Sequence, residues 1–223
     1  MKKYLLLIII NSFLFSEDNF KYKINILGMP AAKCEYSLVD TIYLDIPAYK
    51  INYKVKTTGL YNLFYKVKNK YSIIFKKGTY EILSYSKSST QPSVKNKINT
   101  TYFDNKVEYD NGIQISNKET NIFVLLYMLS NQYYEKMKNF PIIDREGKKY
   151  YYKLNSIDNN RYSIDLKQLS DQETGVVEHT DVFTWGLFLP NTENEIVLDN
   201  FLPLIDKCIF KKGIIKMVAK RVE

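Results

Sequence analysis

Residues 120–138, TNIFVLLYMLSNQYYEKMK, are the one strongly helical stretch of this chain. Apolar side chains recur there at helical spacing, on one face of a helix: Ile122, Leu125, Leu126, Leu129 and Tyr133. The other faces of its first half are apolar as well, with Phe123, Val124, Tyr127 and Met128. A helix that is apolar all round must be covered on several sides. The uninterrupted apolar run, residues 122–129, is far shorter than the roughly 20 residues that span a bilayer. We therefore predict a central helix over about 120–138, packed in or across a sheet.

The rest of the chain has the two-residue period of half-buried strands. Residues 49–57, YKINYKVKT, alternate apolar and mostly lysine side chains. Tight-turn residues such as Gly78 and Gly112 separate successive strands. Residues 60–65 are predicted as a turn of helix, and residues 176–189, which include Trp185, as a strand. The predicted fold is a single mainly β domain over residues 17–223: a curved antiparallel sheet, a half-barrel or a barrel-like sheet around the helix.

Composition supports a β protein and argues against nucleic-acid binding. Aromatic residues make up 15% of the chain, with 20 Tyr and 12 Phe, and aromatic side chains favour strands. The net charge is +8, but only Arg145, Arg161 and Arg221 are arginines, so 32 − 3 = 29 basic residues are lysines. An A/T-rich coding sequence explains such lysine enrichment, and attraction to an anionic membrane or polymer is the functional alternative. Nucleic-acid readout is not expected, because arginine, the planar bidentate donor, is scarce.

The N-terminus has the pattern of a secretory signal peptide over residues 1–16. Lys2 and Lys3 precede an apolar core, residues 4–15, and Ser16 is followed by acidic residues. We expect cleavage after Ser16, whereas an uncleaved segment would remain as a membrane anchor. No later segment is predicted to span a membrane. The sequence thus predicts an exported protein of the bacterial periplasm or envelope.

Several short motifs occur in an order known from one protein family. They are YKINILGMPA (22–31), TTGLYNLFYKV (57–67), VLLYML (124–129) and REGKKYYYKL (145–154), followed by Trp185, Pro190 and Gly213. Over residues 20–222 the chain resembles a family of secreted bacterial β proteins of the periplasm or envelope, known as a domain of unknown function. The resemblance implies export and a mainly β architecture. It implies no activity, cofactor or catalytic residue.

The sequence offers few residues for catalysis or metal binding. His179 is the only histidine, and the two cysteines lack zinc-ligand spacing. The motifs of serine hydrolases, dinucleotide-binding folds and P-loops are missing from the sequence. Asp144 and Glu146 form a pair of carboxylates that could act as acid and base, but beside Gly147 we expect a solvated turn. We therefore predict no catalytic residue, metal or cofactor, and a protein that is not an enzyme.

Cys34 and Cys208 leave two alternatives open. In an oxidising compartment they would form one disulfide between the second strand and the last hairpin. Otherwise both are buried free thiols that act as small apolar residues.

Three functions remain open at this point. The first is a non-catalytic structural or protein-interaction role in the envelope, with envelope proteins as partners. The second is binding or carrying a lipid, an acyl chain or another hydrophobic ligand in a β cup, because mouths of curved β folds are common ligand sites. In that case Phe123, Val124, Tyr127 and Met128 are the predicted lining. The third is an envelope enzyme, for example one acting on glycans.

Overall fold

A computed structural model describes residues 17–92, 94–170 and 175–222 of the chain. The predicted signal peptide, residues 1–16, and its cleavage position lie outside the described residues. The strands are, in chain order, β1 (Glu17–Ile26), β2 (Met29–Tyr43), β3 (Ile46–Thr57), β4 (Lys68–Lys76), β5 (Ile82–Gln91), β6 (Val94–Phe103), β7 (Lys106–Tyr109), β8 (Gln114–Ile115), β9 (Glu119–Thr120), β10 (Ile142–Arg145), β11 (Lys148–Ser156), β12 (Arg161–Gln168), β13 (Glu193–Leu198), β14 (Ile205–Lys212) and β15 (Ile215–Arg221). The helices are α1 (Gly59–Phe64), α2 (Ile122–Ser130), α3 (Tyr134–Met137) and α4 (Val182–Leu187).

The strands form one sheet that curls into a nearly closed barrel, which confirms the predicted mainly β, barrel-like architecture. The order β8-β7-β6-β5-β4-β3-β2-β1-β15-β14-β13-β12-β11-β10-β9 joins two meanders through an antiparallel β1–β15 pair. The two edge strands, β8 and β9, are separated in sequence by residues 116–118 alone. The chain thus brings both edges of the sheet back to one seam.

Alternation along the strands determines which side chains fill the barrel. In β3, Ile51 and Val55 are buried whereas Lys54 and Lys56 are exposed. A period of two places successive side chains on opposite faces of a sheet. The lysine face therefore lies outside and the apolar face forms the core.

Helix α2 lies in the interior, as the sequence predicts. Asn121 caps it, because its side chain accepts a hydrogen bond from the Val124 amide at 3.0 Å. Most of its residues are buried, and Val124, Leu125, Met128 and Leu129 are fully so.

The sequence prediction was wrong about the length of this helix. It ends at Ser130, Gln132 has a positive φ of 57°, and the short helix α3 follows. The left-handed backbone at Gln132 interrupts the helical hydrogen-bond ladder. The single predicted helix over about 120–138 is therefore two helices.

The predicted strand over residues 176–189 is also wrong, because its central part is the helix α4. Asp181 accepts hydrogen bonds from the amides of Phe183 (3.0 Å) and Thr184 (3.1 Å), which satisfies the free N–H groups of the first turn. A six-residue helix is too short to show a helical period of apolar residues, so aromatic content misled the prediction. The predicted turn of helix near residues 60–65 is confirmed as α1.

Candidate functional site

Two regions around α2 have the composition of a functional site: an apolar cavity against β13–β15 and a polar cluster at the barrel seam. The apolar cavity has a volume of about 160 Å³. Helix α2 contributes Ile122 and Leu126 to its lining, and α4 contributes Phe183 and Leu187. The strands contribute mainly Ile164, Ile196, Cys208, Phe210, Met217 and Ala219.

This cavity exists because the barrel is unevenly filled. On the wall formed by β3 and β4, the inward side chains of Ile51, Ile73 and Phe75 have no exposed surface. On the opposite wall, the inward side chains of Met217 and Ala219 are only half-buried. The two faces of α2 therefore meet different surroundings, one closely packed and one with free volume.

The cavity is large enough for a small apolar group. An engineered cavity of about 150 Å³ lined by aliphatic and aromatic side chains stays dry and binds benzene. A cavity of about 160 Å³ can thus accept a ring of that size or a short stretch of alkyl chain. Asn194 and Glu195 are the polar and charged residues among those that line it, and the other lining residues are apolar.

The four predicted lining residues lie on the packed side of the helix or in its buried core. The Phe123 ring lies 5.0 Å from the ring of Tyr53 and 5.1 Å from that of Tyr71. The Tyr127 ring contacts Tyr49 and Phe75, with centroids 5.6 and 5.1 Å apart. Val124 and Met128 are completely buried.

The cavity takes its helical lining from Ile122 and Leu126, one step around the helix from Phe123 and Tyr127. Both belong to the apolar stripe visible in the sequence. The sequence did not show which apolar face of α2 would be packed and which would border free volume.

Cys34 and Cys208 are free thiols in the structure, so the disulfide alternative is not formed there. Cys34 lies on β2 and Cys208 on β14, with β1 and β15 between them. Three strand-to-strand steps correspond to about 14 Å along the sheet, whereas bridged cysteines have Cα atoms about 4.4–6.8 Å apart.

Burial raises the pKa of each thiol to about 12. Both are protonated apolar side chains at neutral pH, and Cys208 lines the cavity.

The polar cluster centres on Lys87 of β5, which has no exposed surface. Its ammonium group contacts the carboxylate of Glu146, the Asp181 Oδ2 atom at 2.7 Å and the Thr180 Oγ1 atom at 2.7 Å. An ammonium group has three donors, so each has a partner here. The cluster joins β5 in the first half of the chain to the β10–β11 turn and the start of α4 in the second.

Asp181 is the most extensively hydrogen-bonded member of this cluster. Besides Lys87 and the amides at the start of α4, it accepts bonds from Tyr71 Oη (2.8 Å), Asn69 Nδ2 (3.0 Å) and Thr184 Oγ1 (2.7 Å). Burial acts to raise the pKa of Asp181, but the Lys87 ammonium and these donors outweigh it and hold the pKa below its usual value. Asp181 is therefore ionised in the folded protein at neutral pH.

A second buried cluster surrounds Asp144. Its carboxylate accepts hydrogen bonds from Tyr109 and from Lys149 Nζ, the latter at 2.9 Å, and Lys149 also pairs with Glu119 at 2.5 Å. Burial raises the pKa of Asp144 despite the nearby Lys149. Lys149 also donates to the Gln114 carbonyl at 3.3 Å, which links β11 to the edge strand β8.

The prediction of a solvated turn for Asp144 and Glu146 was wrong. Their side chains are 1% and 4% exposed, and each accepts a hydrogen bond from a lysine of a strand, Lys149 for Asp144 and Lys87 for Glu146. The turn itself is present, with positive φ at Glu146 and Gly147. Lys87 of β5 holds Glu146 across the seam, and Tyr109 of β7 holds Asp144 across it, whereas Lys149 contacts Asp144 within the β10–β11 hairpin.

A wider polar cavity of about 490 Å³ lies outside this seam, bordered by Glu146, His179 and Trp185 among others. The Arg145 guanidinium lies 4.9 Å from the Tyr150 ring and 5.1 Å from the Phe188 ring, a cation–π arrangement. The His179 side chain is 73% exposed and pairs with Glu178 at 3.6 Å. Within the described ranges, no three His, Cys, Asp or Glu residues are grouped so that they could hold a metal ion.

Comparison with protein-family models, with curated proteins and with solved structures gave no match to this chain. Among the described helices, none is long and apolar enough to cross a membrane.

Proposed function

We propose that this protein is a non-catalytic binding protein that holds an alkyl or acyl segment, or a comparable apolar group, in the cavity between α2, α4 and β13–β15. The observation that carries the proposal is the almost wholly apolar lining of that cavity inside an otherwise densely packed barrel. Natural ligand pockets are mostly apolar and concave. Unfilled apolar volume in a core lowers the stability of a protein. A bound apolar ligand would fill this volume.

The size and shape of the site restrict the ligand. A volume of about 160 Å³ is well below that of drug-sized pockets, so the cavity receives one end of a longer chain or a small ring. Leu187 and Met217, which border it, are half-buried, so part of the cavity lining reaches the protein surface. The polar remainder of such a ligand would stay in solvent.

The polar clusters support the non-catalytic part of the proposal. Lys87 forms ion pairs with both Glu146 and Asp181, and Lys149 forms one with Asp144. Buried ion pairs of this kind also occur as structural features. The signal-like N-terminus supports a location in the periplasm or envelope, where a lipid or another apolar ligand is available.

The first test is the ligand itself. Protein purified after expression of the full chain is denatured and extracted with organic solvent, and the extract is analysed by mass spectrometry. In parallel, uptake of a fluorescent fatty acid is titrated. We expect either a co-purified apolar molecule or saturable uptake of the probe.

A cavity-filling variant locates the site. Ala219→Phe places a ring in the cavity, whereas Val218→Phe adds the same ring to the opposite face of β15. We expect Ala219→Phe to abolish probe binding and Val218→Phe to retain it. Retained binding in Ala219→Phe, or absence of both ligand and uptake in the unsubstituted protein, contradicts the proposal. A protein without ligand capacity would fit the purely structural or protein-interaction role instead.

A further inference from the structure

Three neighbouring chain segments at one end of the barrel form a continuous surface that we name the basic rim: residues 27–33, 56–68 and 211–216. The first two are joined by a hydrogen bond from the Thr58 amide to the Ala31 carbonyl at 2.9 Å. The first and third are joined by a hydrogen bond from the Leu27 amide to the Lys216 carbonyl at 2.9 Å. Adjacent strands β3, β2, β1, β15 and β14 therefore end or turn beside one another at this rim.

The basic rim exposes large apolar side chains to an unusual degree. Leu63 is 76% exposed, Phe64 83% and Ile214 90%. Helix α1, which contains Leu60, Leu63 and Phe64, buries none of its residues. Leu27, Met29 and Ile215 are at least half exposed on the neighbouring turns. Contiguous apolar surface of this kind marks a site that another surface covers.

The charge of the basic rim is of one sign. Its segments contain one, three and three lysines, respectively, which makes seven, and no aspartate or glutamate: Lys33, Lys56, Lys66, Lys68, Lys211, Lys212 and Lys216. Glu193 of the neighbouring strand pairs with Lys211 at 3.1 Å. Lys33, Lys56, Lys66, Lys68 and Lys216 are all exposed. Exposed apolar tips among lysines match the two layers of a bilayer surface, an apolar interior beneath anionic headgroups.

We propose that the basic rim docks onto the surface of an anionic lipid bilayer, with Leu63, Phe64 and Ile214 inserted among the lipids. Charge complementarity selects this occupant, because each lysine near an anionic membrane surface strengthens binding about fivefold. The apolar tips add the hydrophobic contribution that a purely electrostatic contact lacks. This inference uses residues outside the apolar cavity and holds whether or not that cavity takes a ligand.

Co-sedimentation with vesicles tests the inference directly. The full-length protein is mixed with vesicles of phosphatidylcholine alone or with about 30% phosphatidylglycerol, at about 0.1 M and about 0.5 M salt. We expect binding to the anionic vesicles, at least tenfold weaker binding to the neutral ones, and weaker binding at the higher salt concentration. Absence of binding to anionic vesicles, or equal binding to both compositions, overturns the proposal and favours a protein partner for the rim.

Matched variants assign the binding to the rim. Leu63→Ser with Phe64→Ser removes two tips, and its control is Phe201→Ser, which removes a 93% exposed ring at the opposite end of the barrel. We expect the rim variant to bind anionic vesicles about tenfold more weakly and the control to bind as the unsubstituted protein does.

Charge is tested in the same way. Lys66→Glu with Lys216→Glu reverses two exposed rim lysines, and Lys106→Glu with Lys118→Glu reverses two exposed lysines at the other end. We expect a loss of more than tenfold in the rim pair and a smaller change in the control pair. Circular dichroism spectra and melting temperatures establish that all four variants fold. Equal losses in rim and control variants contradict docking through this surface.

Discussion

The buried lysine at the seam makes a strong prediction about stability. Lys87→Met keeps the length and apolar stem of the side chain but removes the ammonium group that contacts Glu146 and Asp181. Lys87 and Asp181 have no exposed side-chain surface and Glu146 only 4%. Breaking a buried ion pair by removing one partner costs about 3–5 kcal/mol. One cation serves two carboxylates here, so we expect a loss of free energy of unfolding at the upper end, about 5 kcal/mol.

The measurement is urea unfolding followed by circular dichroism at neutral pH. Lys70→Met is the matched control, because Lys70 is an exposed lysine on the adjacent strand β4, and we expect it to change stability by less than about 0.5 kcal/mol. A domain of this kind is stable by about 5–15 kcal/mol, so Lys87→Met alone can prevent folding. Lys87→Met combined with Glu146→Gln removes one of the two buried carboxylate charges that the single substitution leaves unpaired. The double variant should therefore regain about 2 kcal/mol or more of the free energy of unfolding.

The pH dependence separates this mechanism from a simple loss of packing. In the unsubstituted protein the folded-state pKa of Asp181 is lowered. Its stabilising contribution is therefore present above the unfolded pKa of about 4 and is lost as the pH falls through the folded value. Without Lys87, the burial of Asp181 acts to raise its folded pKa, so the variant loses stability as the pH rises above about 4. The stability difference between the two proteins should widen from pH about 4.5 to pH about 7.5. A difference below about 1 kcal/mol, or one that does not change with pH, refutes the reasoning.

Two further predictions concern the helix cap and the thiols. Asn121→Ala removes the acceptor for the Val124 amide at the start of the buried helix α2, so we expect about 1 kcal/mol of destabilisation in urea unfolding; an unchanged midpoint would show that the cap contributes nothing. Burial raises the pKa of Cys34 and Cys208 to about 12, so at pH about 8 iodoacetamide should modify the folded protein slowly and both thiols of the unfolded protein rapidly. An intact mass two hydrogens lower without reductant, together with no alkylation after unfolding, would instead indicate a disulfide.

Local pattern was sufficient for the fold class and for the helix at its centre. The two-residue period of β3 and the helical period of residues 122–129 can each be seen within a short stretch of sequence. The apolar positions in such a stretch indicate directly which side chains are buried. Turn residues likewise located many of the hairpins, since a glycine with positive φ, such as Gly78 or Gly112, favours a tight turn.

The seam could not be predicted in this way, because its partners are far apart in sequence. Lys87 and Glu146 are separated by 59 residues, and Asn69 and Asp181 by 112. In the sequence, Asp144 and Glu146 flank Arg145 beside a turn, a pattern that predicts solvent-exposed carboxylates. The return of both sheet edges to one place brings Lys87 to Glu146 and Tyr109 to Asp144. The six-residue helix α4 was missed for a related reason, since its stability comes from the Asp181 cap and from tertiary contacts.

The cavity follows from the difference between the two walls of the barrel. The wall next to Phe123 and Tyr127 consists of large aromatic side chains such as Tyr71 and Phe75, which fill the space beside the helix. The opposite wall presents smaller inward side chains, Cys208 and Ala219, and leaves volume beside Ile122 and Leu126. The charged clusters that close the seam do not border this volume. The seam therefore contributes to stability and the cavity to ligand binding, and the two regions lie on different sides of α2. We expect the effects of a substitution at the seam and of a substitution in the cavity to be independent of each other.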